Sequence, residues 1–91
     1  MKEYAVNLEV ARVSERISPI IMDFLLTRLQ ERNPWFHMSE LQSYVKSKDS
    51  DIAPDSPSRI LRMLRQEGEI DYVVVNRRMS YYRLKSVQVS L

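Results

Sequence analysis

The sequence predicts an α+β domain in which three helices are followed by a C-terminal β-hairpin. Three observations carry this. Two segments open with helix start signals and continue as apolar stripes at helical spacing. The single glycine of the chain, Gly68, falls just past a third such segment. Beyond it, apolar and polar residues alternate on both sides of a basic turn, the pattern of paired strands.

Residues 1–17 support two readings. Tyr4, Val6, Leu8 and Val10 alternate, which suits a strand, whereas Val6, Val10, Val13 and Ile17 are spaced by four, three and four, which suits a helix. The β-branched content favours a strand in the first half, as an N-terminal extension available for dimerisation. The first helix is expected to start at Ser18 as N-cap. Pro19 would be its first residue, where the missing N–H costs nothing. Ile20, Ile21, Phe24, Leu25 and Leu29 give it one broad apolar stripe. Asn33-Pro34 ends it, because a residue before proline is driven out of the α region.

Trp35, Phe36 and Met38 read as core residues on a short extended link. Ser39 and Gln42 have capping-box spacing for a second helix running to about Lys48, with Leu41, Tyr44 and Val45 inward. After the two prolines of "DIAPDSP", Ser56 or Asp55 caps the third helix and Pro57 begins it. Ile60, Leu61 and Leu64 form its buried stripe, and Gly68 is its left-handed C′ residue. The hairpin pairs 70–75 with 81–84 around the turn "NRR", where Asn76 tolerates positive φ. Tyr72 and Tyr82 share the inward parity, and Tyr81 faces out. The alternation changes phase at Lys85-Ser86, the sign of a bulge, and residues 86–91 continue as a tail strand able to pair with 4–10.

At 91 residues the chain fits one small domain. A domain of this size buries about 60–65% of its unfolded surface, too little for a core with a deep catalytic cleft. No apolar run approaches the roughly 18 residues of a membrane span, and the acidic N-terminus lacks the basic flank of a signal peptide. Without cysteine there is no disulfide or thiolate metal site, which fits the cytoplasm. One histidine, His37, and no glycine-rich loop leave little for catalysis. No catalytic residue, metal, cofactor or small-molecule ligand is therefore expected. Asp49, Asp51 and Asp55 read as loop and capping residues.

The charge is informative in its distribution. Residues 56–85 hold seven basic residues (Arg59, Arg62, Arg65, Arg77, Arg78, Arg83, Lys85) against three acidic (Glu67, Glu69, Asp71), a net +4. The remainder holds seven basic against nine acidic, a net −2. Concentration of positive charge on one helix face and one turn points to nucleic acid.

The run "SPSRILRMLRQEGEIDYVVVNRRMSYYRLK" carries a resemblance. Its S-R-x-L-R-x-L-R-x-x-G-x-I-D-Y and V-N-R-R-x-S-x-Y-R patterns resemble small winged helix-turn-helix DNA-binding proteins of prokaryotes, closest in style to those of phages and mobile elements. The resemblance covers 18–85, about three quarters of the chain. It implies a third helix lying in the major groove and a wing running along the backbone or into a minor groove. On this chain it places Ser56, Ser58, Arg59, Arg62, Arg65 and Gln66 toward DNA, with Arg77 and Arg78 at the wing tip. Free amides at the start of the helix would add a phosphate site. The implied function is a sequence-specific regulator binding double-stranded DNA, as a homodimer because one module reads too few base pairs. The modest overall charge of +2 and the acidic first half keep a second reading in play, a protein-interaction adaptor.

Overall fold

The structure is a computed structural model that describes residues 2–88, with side chains from residue 12 onward. In chain order it holds α1 (Lys2–Gln30), β1 (Trp35–His37), α2 (Met38–Lys48), α3 (Ser56–Gln66), β2 (Ile70–Asn76) and β3 (Tyr81–Val87). The architecture is α+β, three helices on a three-stranded antiparallel sheet of order β1-β3-β2.

The largest departure from expectation lies in α1. The strand anticipated over 4–10 is helix, and Ser18 is no cap: α1 runs unbroken for 29 residues with Pro19 inside it. Of the two spacings readable in 4–17, the helical one prevails. Proline inside a helix removes one i→i−4 bond and crowds a carbonyl. Here Pro19, Glu15 and Arg16 are all exposed, so the unpaired carbonyl of Glu15 faces the solvent side. The inward side of the helix continues without interruption through Ile17, Ile21, Phe24 and Leu25. Ser18 instead shares a 3.0 Å hydroxyl contact with Ser14 one turn back.

Both α1 and α3 close with the same device. The Asn33 amide donates to Arg28 O and the Arg32 amide to Leu29 O, with Arg32 at φ 57°. The Glu69 amide donates to Leu64 O and the Gly68 amide to Arg65 O, with Gly68 at φ 80°. Each is a Schellman closure with a left-handed C′ residue, which satisfies carbonyls the helix leaves open. Helix α2 is capped differently from expectation. Its N-cap is His37, and Glu40 reaches back to accept from the His37 amide at 2.8 Å. Gln42 is drawn away to donate to Pro54 O at 3.1 Å, so the Ser39–Gln42 box does not form.

The core is drawn from all six elements: Ile17, Ile21, Phe24 and Leu25 of α1, Phe36 of β1, Met38, Leu41 and Val45 of α2, Ile60, Leu61 and Leu64 of α3, and Ile70, Tyr72 and Leu84 of the hairpin. Aromatic contacts link the layers, Phe24 edge-on to Phe36 at 5.8 Å and Phe36 stacked on Tyr82 at 5.4 Å. Trp35 is not in this core: it is 40% exposed. Neighbours along a strand point to opposite faces, and Phe36 takes the inward one. Arg16 grips Asp49 through two nitrogens, at 2.6 to 3.0 Å, and fastens α1 to the end of α2.

In the hairpin, Tyr72 opposes Leu84 while Asp71 opposes Ser86, so Lys85 is an extra residue at the expected bulge. A second irregularity falls between Val74 and Asn76. The turn spans 77–80 rather than "NRR". Asn76 keeps strand geometry and accepts the Met79 amide on Oδ1 at 3.1 Å, while Ser80 takes the positive φ of 51°. Of the expected tail strand, Ser86 and Val87 belong to β3 and pair with Asp71 and Ile70 of β2, and 4–10 are helical and so not its strand partner; residues 89–91 lie outside the described residues.

Candidate nucleic-acid interface

Helix α3 separates its residues cleanly. Pro57, Ile60, Leu61 and Leu64 are buried, Ser58 and Met63 half-buried, and Arg59, Arg62, Arg65 and Gln66 exposed. The spacing of three and four brings those four exposed side chains onto one stripe opposite the core. Three of them are guanidinium groups, which bind paired acceptors in a planar fork.

Each arginine has a different neighbourhood. Arg59 pairs with Asp55 one turn back at 2.6 Å, both side chains more than half exposed. Such a pair is worth only about 0.3–0.5 kcal/mol, so it yields readily to a better anion. Arg65 lies over the ring of Tyr72, 4.7 Å from its centroid. That contact fixes the guanidinium at the junction of α3 and the sheet. Arg62 projects from the middle of the stripe with no ion-pair partner among the described residues.

The start of α3 corrects two expectations. Ser56 is only 7% exposed, so it belongs to the core side of the helix and not to the arginine face. Its amide donates to Ala53 O at 3.0 Å, Pro57 has none to offer, and the Arg59 amide donates to Asp55 O. With the Asp55 carboxylate also present there, the first turn is a poor phosphate cradle. Ser58 turns its hydroxyl back to Asp55 O at 3.0 Å.

The hairpin turn presents Arg77 and Arg78, both exposed and neither paired with a described carboxylate. Its base is anchored to α2, because the Met38 amide donates to Ser80 O at 2.9 Å. Only residues 67–69 separate α3 from β2, and the Gln88 amide closes onto Glu69 O at 2.8 Å. The connection thus ties the end of α3 to the open end of the hairpin, while the arginine turn lies at its other end, against the start of α2.

Two arrangements escaped sequence reasoning. The first is a clamp on β1. Arg28 of α1 donates to Trp35 O at 3.0 Å and to Glu40 Oε2 at 2.5 Å, while Glu40 Oε1 accepts the His37 amide. The Glu40 carboxyl is held below the ordinary carboxylate range, chiefly by that amide and further by Arg28, against a smaller cost of burial. The second is a row on the outward face of the sheet. Arg83 lies over Trp35 at 5.7 Å, Trp35 stacks on Tyr81 at 5.8 Å, and Tyr81 meets His37 at 4.3 Å. Strand alternation was the available signal for the row. The clamp joins residues from separate helices and had none.

No helix of the described residues is long and apolar enough to cross a membrane, and they hold no cluster of three potential metal ligands. No family model, curated protein or solved structure matches this chain.

Proposed function

We propose that this protein is a winged-helix-type binder of double-stranded DNA, acting as a small sequence-specific transcriptional regulator. The observation that carries the reading is the exposed stripe Arg59-Arg62-Arg65-Gln66 on α3, backed by the buried Pro57, Ile60, Leu61 and Leu64 on the opposite side. A helix of this kind fits the major groove, where guanidinium forks match guanine O6 and N7. Arg62 is the central base-reading candidate, since it is the arginine of the stripe with neither a carboxylate nor a ring against it. Arg77 and Arg78 supply backbone or minor-groove contacts from the hairpin, the wing of this reading. Three helices followed by a basic-tipped hairpin, with a one-glycine junction between helix and strand, support the same assignment.

A homodimer on paired half-sites would give the selectivity one module lacks. The N-terminal turns of α1 are the candidate interface, as a helix in place of the strand first expected there.

The test is fluorescence anisotropy of a labelled random-sequence duplex, titrated at several salt concentrations. Up to five arginines engage phosphate or base, so log K against log salt should fall with a slope of about −3 to −5. Selection from a random library then supplies the preferred site. On that site Arg62→Ala should weaken binding by about 1–3 kcal/mol and relax its sequence preference, while Arg78→Ala should weaken all sequences alike. No duplex binding at low salt sinks the reading and leaves the chain as a protein-interaction adaptor.

A further inference from the structure

We propose that the outward face of the sheet is a second, separate site, a stacking platform for single-stranded DNA. Alternation along the strands buries Phe36, Tyr72 and Leu84 and turns Trp35, His37, Tyr81 and Arg83 outward. The register sets Trp35 opposite Arg83 and His37 opposite Tyr81, with Trp35 and Tyr81 diagonal to each other. The result is a continuous row, Arg83–Trp35–Tyr81–His37, with neighbouring groups 4.3 to 5.8 Å apart. Each ring is held by the next, so little side-chain freedom remains to be lost when a base settles on it.

The charge around the row selects the occupant. Arg83 stands at one end, and the turn carrying Arg77 and Arg78 follows from the other. The nearby acid, Glu40, is bound to Arg28, and Asp71 faces Lys85 at 3.7 Å. Among the described residues the uncompensated charges of this face are guanidinium groups, which suits a polyanion with flat, apolar faces. A peptide strand is disfavoured for a separate reason. It would add at the β1 edge, where Trp35 O and the His37 amide are already bonded to Arg28 and Glu40, so the main-chain bonds that drive strand addition are missing. A duplex is disfavoured because its bases are stacked inside and offer only their edges. Unpaired bases present their π-faces, and a row of rings flanked by arginines is what binds them without sequence preference.

Trp35 is the only tryptophan of the chain and reports on its own site. The full-length protein is titrated with an unlabelled dT12 oligonucleotide at low salt while tryptophan emission is followed. Saturable quenching is expected. In anisotropy with labelled dT12, Tyr81→Ala and Trp35→Ala should each weaken binding roughly 10- to 100-fold, and Trp35→Phe should retain most of it. Both positions are incompletely buried, and circular dichroism is the check that the variants fold. Arg62→Ala should leave dT12 affinity unchanged while weakening duplex binding, so this site stands or falls independently of the α3 reading. Absence of quenching, or quenching that Tyr81→Ala does not alter, overturns the proposal. Tighter binding of U12 than dT12 by ten-fold overturns the choice of DNA. Trp35-dependent self-association in sedimentation would show a second copy on this face and overturn it as well.

Discussion

Replacing Gly68 by alanine isolates one physical quantity. Gly68 holds φ at +80°, and a Cβ built there has no heavy atom within 4 Å. Sterics with the surroundings therefore contribute nothing, and the whole cost is that of placing an L-residue in the left-handed region, about 1–2 kcal/mol. Alanine also narrows the unfolded ensemble, which returns about 0.4–1 kcal/mol. The net expectation is a loss of about 1 kcal/mol, or about 4–8 °C in Tm for a domain this size. Thermal and urea unfolding followed by circular dichroism measure it. The mirror experiment sharpens the test. D-alanine at position 68, introduced by chemical synthesis, finds positive φ favourable and should match or exceed the wild type. A loss above about 3 kcal/mol for the L-variant, or an equal loss for both enantiomers, would refute the reasoning, because each requires a clash the open space does not contain.

Other expectations follow from the same structure. Arg32 is the non-glycine residue in the matching position of α1, at φ 57°, so Arg32→Gly should be neutral or stabilising by up to about 1 kcal/mol in urea melts. Phe36 is fully buried between Phe24 and Tyr82, and Phe36→Ala should cost about 3–5 kcal/mol and bring the domain close to unfolding at 37 °C. Glu40 has a lowered carboxyl pKa in the folded state, so its contribution is present above its ordinary value of 4.5 and is lost as pH falls through the folded value. Glu40→Gln should reduce stability at pH 7 by under about 1 kcal/mol, since the pair is partly exposed, and should flatten the loss between pH 5 and 3 in acid titrations.

The elements that sequence reasoning placed well are those whose signals are local. Gly68, the bulge at Lys85, the stripes of α2 and α3 and the outward arginines all follow from spacing over a few residues. Its failures came where a local signal competed with the rest of the molecule. Ser18-Pro19 has the grammar of a helix start, yet a proline on the solvent side of a long helix leaves the buried side intact. Ser39 outranks His37 as a capping residue by type, but the ladder with β3 keeps His37 extended and Glu40 closes on it. Trp35 looked buried because it is large, although strand alternation allows only one of Trp35 and Phe36 to face inward. The winged-helix resemblance placed Ser56 toward DNA, and its burial puts it on the core side of α3. The Arg59–Asp55 pair, at a spacing of four, was legible and went unread. The Arg28 clamp joins two helices and a strand and was beyond any pattern in the chain.

That clamp leaves the sheet asymmetric with respect to growth. A three-stranded sheet has two borders, and an exposed border is the usual seed of runaway assembly. On the β1 border the free carbonyl of Trp35 and the free amide of His37 are occupied from within the same molecule. Among the described strands β2 forms the other border. Molecules joined through β2 would present two occupied borders and stop at a pair, whereas loss of Arg28 or Glu40 would reopen the second border and permit indefinite extension. The half-buried Arg28–Glu40 pair thus keeps one border of the sheet closed to a further strand.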